Sequence, residues 1–216
     1  MEQKTDYIRA RSPEHKQERM AAIMEAADAL FAVRPYHQIT MGTIAEKLGW
    51  SRSNLYKYAA TREEIFLSLH SAKNRAWIDD LANALADAPM PPEQFARTWA
   101  QVTERHADFL RYQEILISII ESNVTFDRLV EFKRAFVEML PPVVETLCRQ
   151  CDIDEDAATD LYLRLLYQAP ALRNHFHCAE ITREAMESAG MPPVACSFVD
   201  AYVDFVLMCV EKAGEA

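Results

Sequence analysis

Four glycines in 216 residues constrain this chain more than any other feature. An average protein of this length carries about 15, or roughly 7 %. Gly42, Gly49, Gly190 and Gly214 are too widely spaced to spell GxGxxG, GxxxxGK or GxSxG. The common phosphate cradles and the nucleophile elbow are therefore absent. What remains is rich in Ala, Leu, Glu and Met, which favour helix. No stretch alternates β-branched and polar residues as a strand does, and there is no internal repeat or low-complexity tract. The expectation is an all-α protein of about nine helices.

The length allows a sizeable core in one large or two small domains. The 23 Lys+Arg against 33 Asp+Glu leave a net charge of −10, which at first opposes a partner as acidic as nucleic acid. The charge is unevenly spread. Residues 1–62 hold 10 basic and 7 acidic residues, net +3, whereas residues 63–216 hold 13 and 26, net −13. A mildly basic head precedes an acidic body. The first residues are polar and charged, without the apolar core of a signal peptide. No charge-free apolar run approaches the ~18 residues of a membrane span, since ILISII at 115–120 is closed by Glu114 and Glu121. A soluble, cytoplasmic protein with no membrane partner is expected. Five cysteines, an odd number, fit reduced thiols. Cys148 and Cys151 form a CxxC inside an apolar-periodic helix; they read as core thiols, with a thiol sensor as the alternative.

Capping signals divide the N-terminal part. Ser12-Pro13-Glu14 opens a helix whose Ile23, Ala27, Leu30 and Phe31 form one buried face, and Pro35-Tyr36 ends it. Thr40 caps a short segment carrying Ile44, Ala45 and Leu48, which Gly49 stops. Ser51 caps another, SRSNLYKY. Thr61-Arg62-Glu63-Glu64 is a capping box that launches a longer helix through Ile65, Leu69 and Trp77 to about Leu85. Prolines punctuate the remainder: Pro91-Pro92 starts a helix, Pro141-Pro142 breaks or bends another, Pro170 is set to kink a third, and Pro192-Pro193 precedes the last, about 195–212.

Two short capped helices joined at Leu48-Gly49-Trp50-Ser51 have the dimensions of a helix-turn-helix. Leu55, the only aliphatic anchor of the second, must face inward, which turns Ser51, Arg52, Ser53 and Asn54 outward. Arginine can donate two bonds to guanine and asparagine can exchange two with adenine, so these four are the candidate base readers. Thr40, Lys57, Tyr58 and Arg62 are placed to hold phosphates.

The blocks Ile23-x-x-Ala26-Ala27-x-x-Leu30-Phe31, Ile39-Thr40-x-x-x-Ile44-Ala45-x-x-Leu48-Gly49-Trp50-Ser51, Leu55-Tyr56-Lys57-Tyr58 and Arg62-Glu63-Glu64-Ile65 closely resemble the TetR family of bacterial transcriptional regulators. The match covers roughly residues 13–66. Three positions depart from the family pattern: Arg34-Pro35-Tyr36 where a glycine is usual, Trp50 where an aliphatic residue follows the turn glycine, and Ala59 where a phenylalanine is usual. The resemblance implies a DNA-binding domain at 1–62, with reading helix Ser51–Tyr58 and phosphate contacts at Thr40, Tyr56, Tyr58 and Arg62. Within a preceding arm, 1–11, Lys4, Arg9 and Arg11 follow the DNA or form a plain polar tail.

For residues 63–216 the resemblance implies a helical domain that dimerises and binds a small-molecule effector. Two apolar stripes fit a dimer interface, one carrying Leu161, Leu165 and Leu172, the other Phe198, Tyr202 and Phe205. Bundles build sites from facing side chains, so Trp99, His106, Phe109, Phe126, Phe136, Met139, Tyr162 and Tyr167 are pocket candidates, each also an ordinary core residue. His175-Phe176-His177-Cys178 carries metal-ligand residue types, but histidines at i and i+2 diverge on a helix, and no metal, cofactor or catalytic residue is expected. The implied activity is a homodimeric repressor, released from a palindromic double-stranded DNA operator by its effector. The alternatives are a helix-turn-helix adaptor or a regulator controlled by a protein partner or thiol state, and, more remotely, a helical-bundle enzyme.

Overall fold

The computed structural model describes residues 13–192 and 195–215; Ser12 and the basic residues Lys4, Arg9 and Arg11 lie outside them. Among the described residues there are eleven α-helices and no strand. This exceeds the expected nine or so: His106 separates α-helices Pro92–Arg105 and Ala107–Ile115, and a short helix, Glu180–Ser188, lies between Glu155–Phe176 and Phe198–Ala213.

The chain separates into two compact units, Met1–Leu69 and His70–Ala216. The first contains α1 (Pro13–Val33), a 3-10 turn at Tyr36–Gln38, α2 (Met41–Lys47), α3 (Arg52–Leu55) and the start of α4 (Arg62–Ala84). Its core is Ile23, Ala27, Leu30, Phe31, Ile39, Ile44, Leu55, Ile65 and Phe66, all buried. Phe66 receives the edges of Phe31 and Tyr36 at ring distances of 5.2 and 4.9 Å.

The second unit contains the rest of α4, then α5 (Pro92–Arg105), α6 (Ala107–Ile115), a wide π turn at Leu116–Ile120, α7 (Phe126–Met139), α8 (Pro141–Cys151), α9 (Glu155–Phe176), α10 (Glu180–Ser188) and α11 (Phe198–Ala213). Helix α11 packs mainly on α5 and α9, and α9 also packs on α6 and α8. Helices α5 and α8 start on prolines, while Thr125, Asp154 and Ser197 cap α7, α9 and α11 with their side chains. These residues answer backbone N–H groups that no helix can satisfy itself. Helix α9 runs on through Pro170. No helix among the described residues is long and apolar enough to cross a membrane.

The core of this unit surrounds Trp77, whose ring stacks on Phe109 at 5.2 Å and meets Trp99 and Tyr162 at 5.9 Å. Most polar atoms here are paired. Trp77 Nε1 donates to Thr103, Trp99 Nε1 donates to the Tyr202 hydroxyl, and that hydroxyl donates to the Leu165 carbonyl.

His70 is buried, with Nε2 2.6 Å from Gln113 Oε1. Burial, reinforced by the charge of Lys133, lowers its pKa from 6.5 to about 4. The folded histidine is therefore neutral where an unfolded one takes a proton, so its contribution is complete above pH 6.5 and is lost as pH falls toward 4. Urea unfolding between pH 7 and 4.5 should show up to roughly 3 kcal/mol of pH-dependent loss that His70→Gln removes.

Candidate nucleic-acid interface

The turn between α2 and α3 follows from backbone geometry. The N–H of Gly49 bonds the Glu46 carbonyl at 3.0 Å and that of Trp50 bonds the Ala45 carbonyl at 2.8 Å. This pair closes the C-terminal end of α2 and requires a left-handed residue between. Gly49 supplies it at φ 67°. Thr40 and Thr43 cap the start of α2 reciprocally, at 3.1 and 2.9 Å. Ser51 Oγ accepts from the Asn54 N–H, which begins α3 immediately after the turn. Regular α-helix covers only Arg52–Leu55; the chain then continues to Ala59 in tighter turns, with Lys57 N bonded to Asn54 O and Tyr58 N to Leu55 O. Such tightening is common in a last helical turn.

Leu55 is fully buried, while Ser51, Arg52 and Ser53 are exposed and Asn54 is half-buried. Tyr56 and Lys57 are exposed. Tyr58 lies against Trp50 at 5.9 Å, and the Arg19 guanidinium covers the Trp50 ring at 4.9 Å. The residue that departs from the family pattern after the turn glycine thus braces the interface. Ala59 is buried.

Thr40, Arg52, Tyr56 and Arg62 line one open groove of about 530 Å³, together with Gly42 and Glu63. Arg62 is held from several sides. Its Nη1 donates to the carbonyls of Tyr36 (3.2 Å) and Ile39, its Nε donates to Glu63 at 2.9 Å, and its guanidinium lies 4.1 Å from the Tyr36 ring centre. Burial would raise the Glu63 carboxyl, but bonds from Arg62 and the Tyr36 hydroxyl outweigh it and hold the pKa below the usual value. Glu63 is thereby a fixed anion that orients Arg62. The capping box expected at Thr61 is shifted by one residue. Thr61 Oγ1 accepts from Glu64 N as anticipated, but Glu64 Oε2 accepts from Ala60 N rather than Thr61 N.

Gly42 lines the same candidate groove, although no sequence motif marks it. A methyl group there would stand 2.6 Å from Arg52 Nη2 and 2.9 Å from its Nε. The absence of a side chain is what gives the Arg52 guanidinium its seat over α2. The available signal was a glycine two residues past an N-cap, where helix propensity opposes it.

In the second unit, the pocket candidates Trp99, Phe109, Met139 and Tyr162 are buried in the one cluster around Trp77, with Phe136 packed against it. His106 pairs with Asp80 at 2.8 Å. Phe126 and Tyr167 point to solvent, 79 % and 50 % exposed. Of the stripe residues, Leu161, Leu165, Phe198 and Tyr202 are buried within the single chain, and Leu172 and Phe205 are half-buried. Burial pushes the Cys151 thiol up to about 11, and burial with nearby Glu155 and Asp154 raises Cys148, so neither is a ready thiolate. No cluster of three metal-ligating side chains occurs among the described residues.

A paired short-helix reader beside an all-helical second unit defines a helix-turn-helix DNA-binding protein. The family model for bacterial regulatory proteins of the tetR family matches residues 23–69, and that for the tetracyclin repressor-like C-terminal domain matches residues 71–211. The chain belongs to the TetR family, and it is a transcriptional regulator rather than an enzyme. YfiR of Bacillus subtilis (strain 168), an HTH-type transcriptional regulator, is 40 % identical over 53 residues, which span only 24 % of this chain and 26 % of that protein. Two solved structures show the same fold at low identity. A protein from Mesorhizobium loti MAFF303099 assigned to the TetR family has a TM-score of 0.56 and 19 % identity, covering 92 % of this chain and 96 % of its own. The fatty acid degradation regulator FadR from Bacillus halodurans has 0.55 and 16 %, covering 88 % and 93 %.

The seat at Gly42 can be tested by a double-mutant cycle. Gly42→Ala should leave the melting temperature within a few degrees and reduce discrimination at one base pair per half-site, the effect also expected of Arg52→Ala. In the Arg52→Ala background it should change nothing further, measured by anisotropy against single-base operator variants.

Proposed function

We propose that this regulator is a homodimeric repressor that leaves a palindromic operator when a small, cell-derived molecule binds its second unit. The observation that carries this reading is α4. One continuous helix bears Arg62 in the groove with Arg52 and, further along, Asn74 and Trp77 in the core of the other unit. A ligand that repacks that core acts on the helix that also anchors the reading head. Release requires a coupling of about 1–3 kcal/mol or more between effector and DNA.

In this reading residues 1–62 bind DNA and residues 63–216 bind effector and dimerise, all within the bacterial cytoplasm. Arg52, Ser53 and Asn54, with Ser51, face base edges. Thr40, Tyr56, Lys57, Tyr58 and Arg62 face phosphates, and the arm 1–11 adds basic residues. Two reading helices enter successive major grooves about 34–36 Å apart. Because Leu161, Leu165, Phe198 and Tyr202 are already used inside the chain, the second copy meets the outward faces of α9 and α11. Exposed Tyr167 and Met208 and half-buried Leu172 and Phe205 supply apolar surface there.

Selection from random palindromes, followed by anisotropy at two salt concentrations, tests the DNA reading. Arg62→Ala should weaken all sequences about equally and reduce the salt slope by about 1. It should also destabilise the first unit, since two carbonyl bonds, the Glu63 ion pair and the Tyr36 ring contact go with the phosphate contact. No enrichment of any palindrome would overturn the operator proposal. An operator affinity unmoved by extracts of cell metabolites would overturn effector control. Tyr167→Glu with Met208→Glu should yield monomers in sedimentation and lower operator affinity by about tenfold or more; dimers of unchanged stability would place the interface elsewhere.

A further inference from the structure

Nearly all buried polar groups in proteins have hydrogen-bond partners, because leaving one unpaired forfeits its hydration without return. The aromatic core of the second unit departs from this rule at one place. Asn74 is fully buried, and neither Nδ2 nor Oδ1 has a partner. Tyr162 is fully buried, and its hydroxyl has none either. The two lie close enough for Asn74 to act on Tyr162 as a weak hydrogen-bond partner, offsetting part of the effect of burial, but no bond of normal length and angle joins them. One turn before Asn74 on α4, His70 spends Nε2 on Gln113 and leaves Nδ1 without a partner. Elsewhere in this core the buried Trp77, Trp99, Thr103, Gln150 and Tyr202 are all bonded.

Aromatic rings surround these groups. Trp77 lies 5.9 Å from Tyr162 and 5.2 Å from Phe109, Phe136 lies 6.4 Å from Tyr162, and Phe109 and Phe132 lie 5.3 and 5.5 Å from His70. Among the described residues the buried polar side chains are His70, Asn74, Thr103, Gln113, Thr146 and Gln150, none of them a lysine, arginine or carboxylate; the one cationic group with a buried, unpartnered atom is Arg173, at Nε, eleven positions beyond Tyr162 on α9. Lys133, the charged group whose field reaches His70, is exposed and bound to Glu121 at 2.5 Å. A charged head brought to Asn74 would have no buried counter-charge and would lose its hydration.

We propose that Asn74 and Tyr162 are the polar end of the effector site, and that the effector is an uncharged, flat, largely apolar molecule whose head both donates and accepts a hydrogen bond, as an amide does. The inference rests on the reading of this unit as an effector domain and adds the chemistry of what it takes. The amide edge of Asn74 matches a donor–acceptor head on both atoms. Tyr162 supplies a further donor or acceptor, and the rings around Trp77 take the apolar body.

The test uses the full-length protein and three ring-sized probes: benzamide, benzoate and toluene. Binding is read by Trp fluorescence and by calorimetry. Benzamide should saturate and bind about tenfold more tightly than the other two. Asn74→Leu should abolish that preference while raising the melting temperature, because an unpaired amide is exchanged for an apolar group of similar size. Tyr162→Phe should weaken benzamide selectively and leave toluene unchanged. Benzoate binding as well as benzamide, no saturable binding of any probe, or a lower melting temperature for Asn74→Leu would each overturn the proposal, the last pointing to a structural water on Asn74. Operator affinity measured in the same samples separates the two readings. Benzamide binding that Asn74→Leu abolishes, without operator release, would sink effector control and keep the site. Operator release by benzamide that survives Asn74→Leu would do the reverse.

Discussion

Helix α4 has to supply an apolar face to two separate cores, and the rest of the structure is arranged around that demand. Over 23 residues, about 34 Å of helix, it places Ile65, Phe66 and Leu69 in the first unit and Trp77, Ile78 and Leu81 in the second. Each such side chain contributes about 1.5–3 kcal/mol when fully buried, so neither unit is complete without its share. The ends of the helix are held accordingly. At the start, Thr61 and Glu64 satisfy backbone groups, and Glu63 and Glu64 lie on the positive end of the dipole. Beyond the last turn, Gln150 donates to the carbonyls of Leu85 and Asp87, Arg149 also donates to Leu85, and Met90 N donates back to Gln150.

The reading head is built largely from groups with two tasks. Thr40 caps α2 and stands in the groove; Arg62 holds two carbonyls, a carboxylate and an aromatic ring and stands in the same groove. In the proposed reading, side chains fixed by the protein's own bonds lose little further freedom when a phosphate arrives, which favours affinity and orientation together. The charge distribution works in the same direction. In the proposed reading the segment 1–62, net +3, meets DNA while the segment 63–216, net −13, is repelled by it. The overall charge of −10 averages these two segments.

Much of this was legible locally. The caps at Thr40, Ser51 and Thr61, the left-handed turn at Gly49 and the inward Leu55 all depend on residues within four or five positions of one another, and all lie where the spacing puts them. The bond of Glu64 to Ala60 N rather than Thr61 N shows the limit of such reasoning. The break at His106 and the helix Glu180–Ser188 carry weaker signals and were not separable in the pattern. Apolar periodicity identified the stripes of α9 and α11 but not their occupant. Leu161, Leu165, Phe198 and Tyr202 are as well explained by their own chain as by a copy, since a burial pattern does not name what does the burying.

The sequence by itself determined the helical class, the reader with its short capped helices, and the family to which those blocks correspond. These rest on backbone geometry and on contacts between near neighbours. Only the tertiary structure decided that Arg62 clamps Tyr36 across 26 positions and that His70 meets Gln113 across 43. It likewise decided that Arg52 lies over Gly42 and that Asn74 faces Tyr162 without a normal hydrogen bond. These depend on how helices pack, and packing is settled by the shape of the whole core rather than by any one segment. The glycines mark the division plainly. Gly49 could be read from its turn alone, whereas the role of Gly42 exists only once α3 is folded against α2.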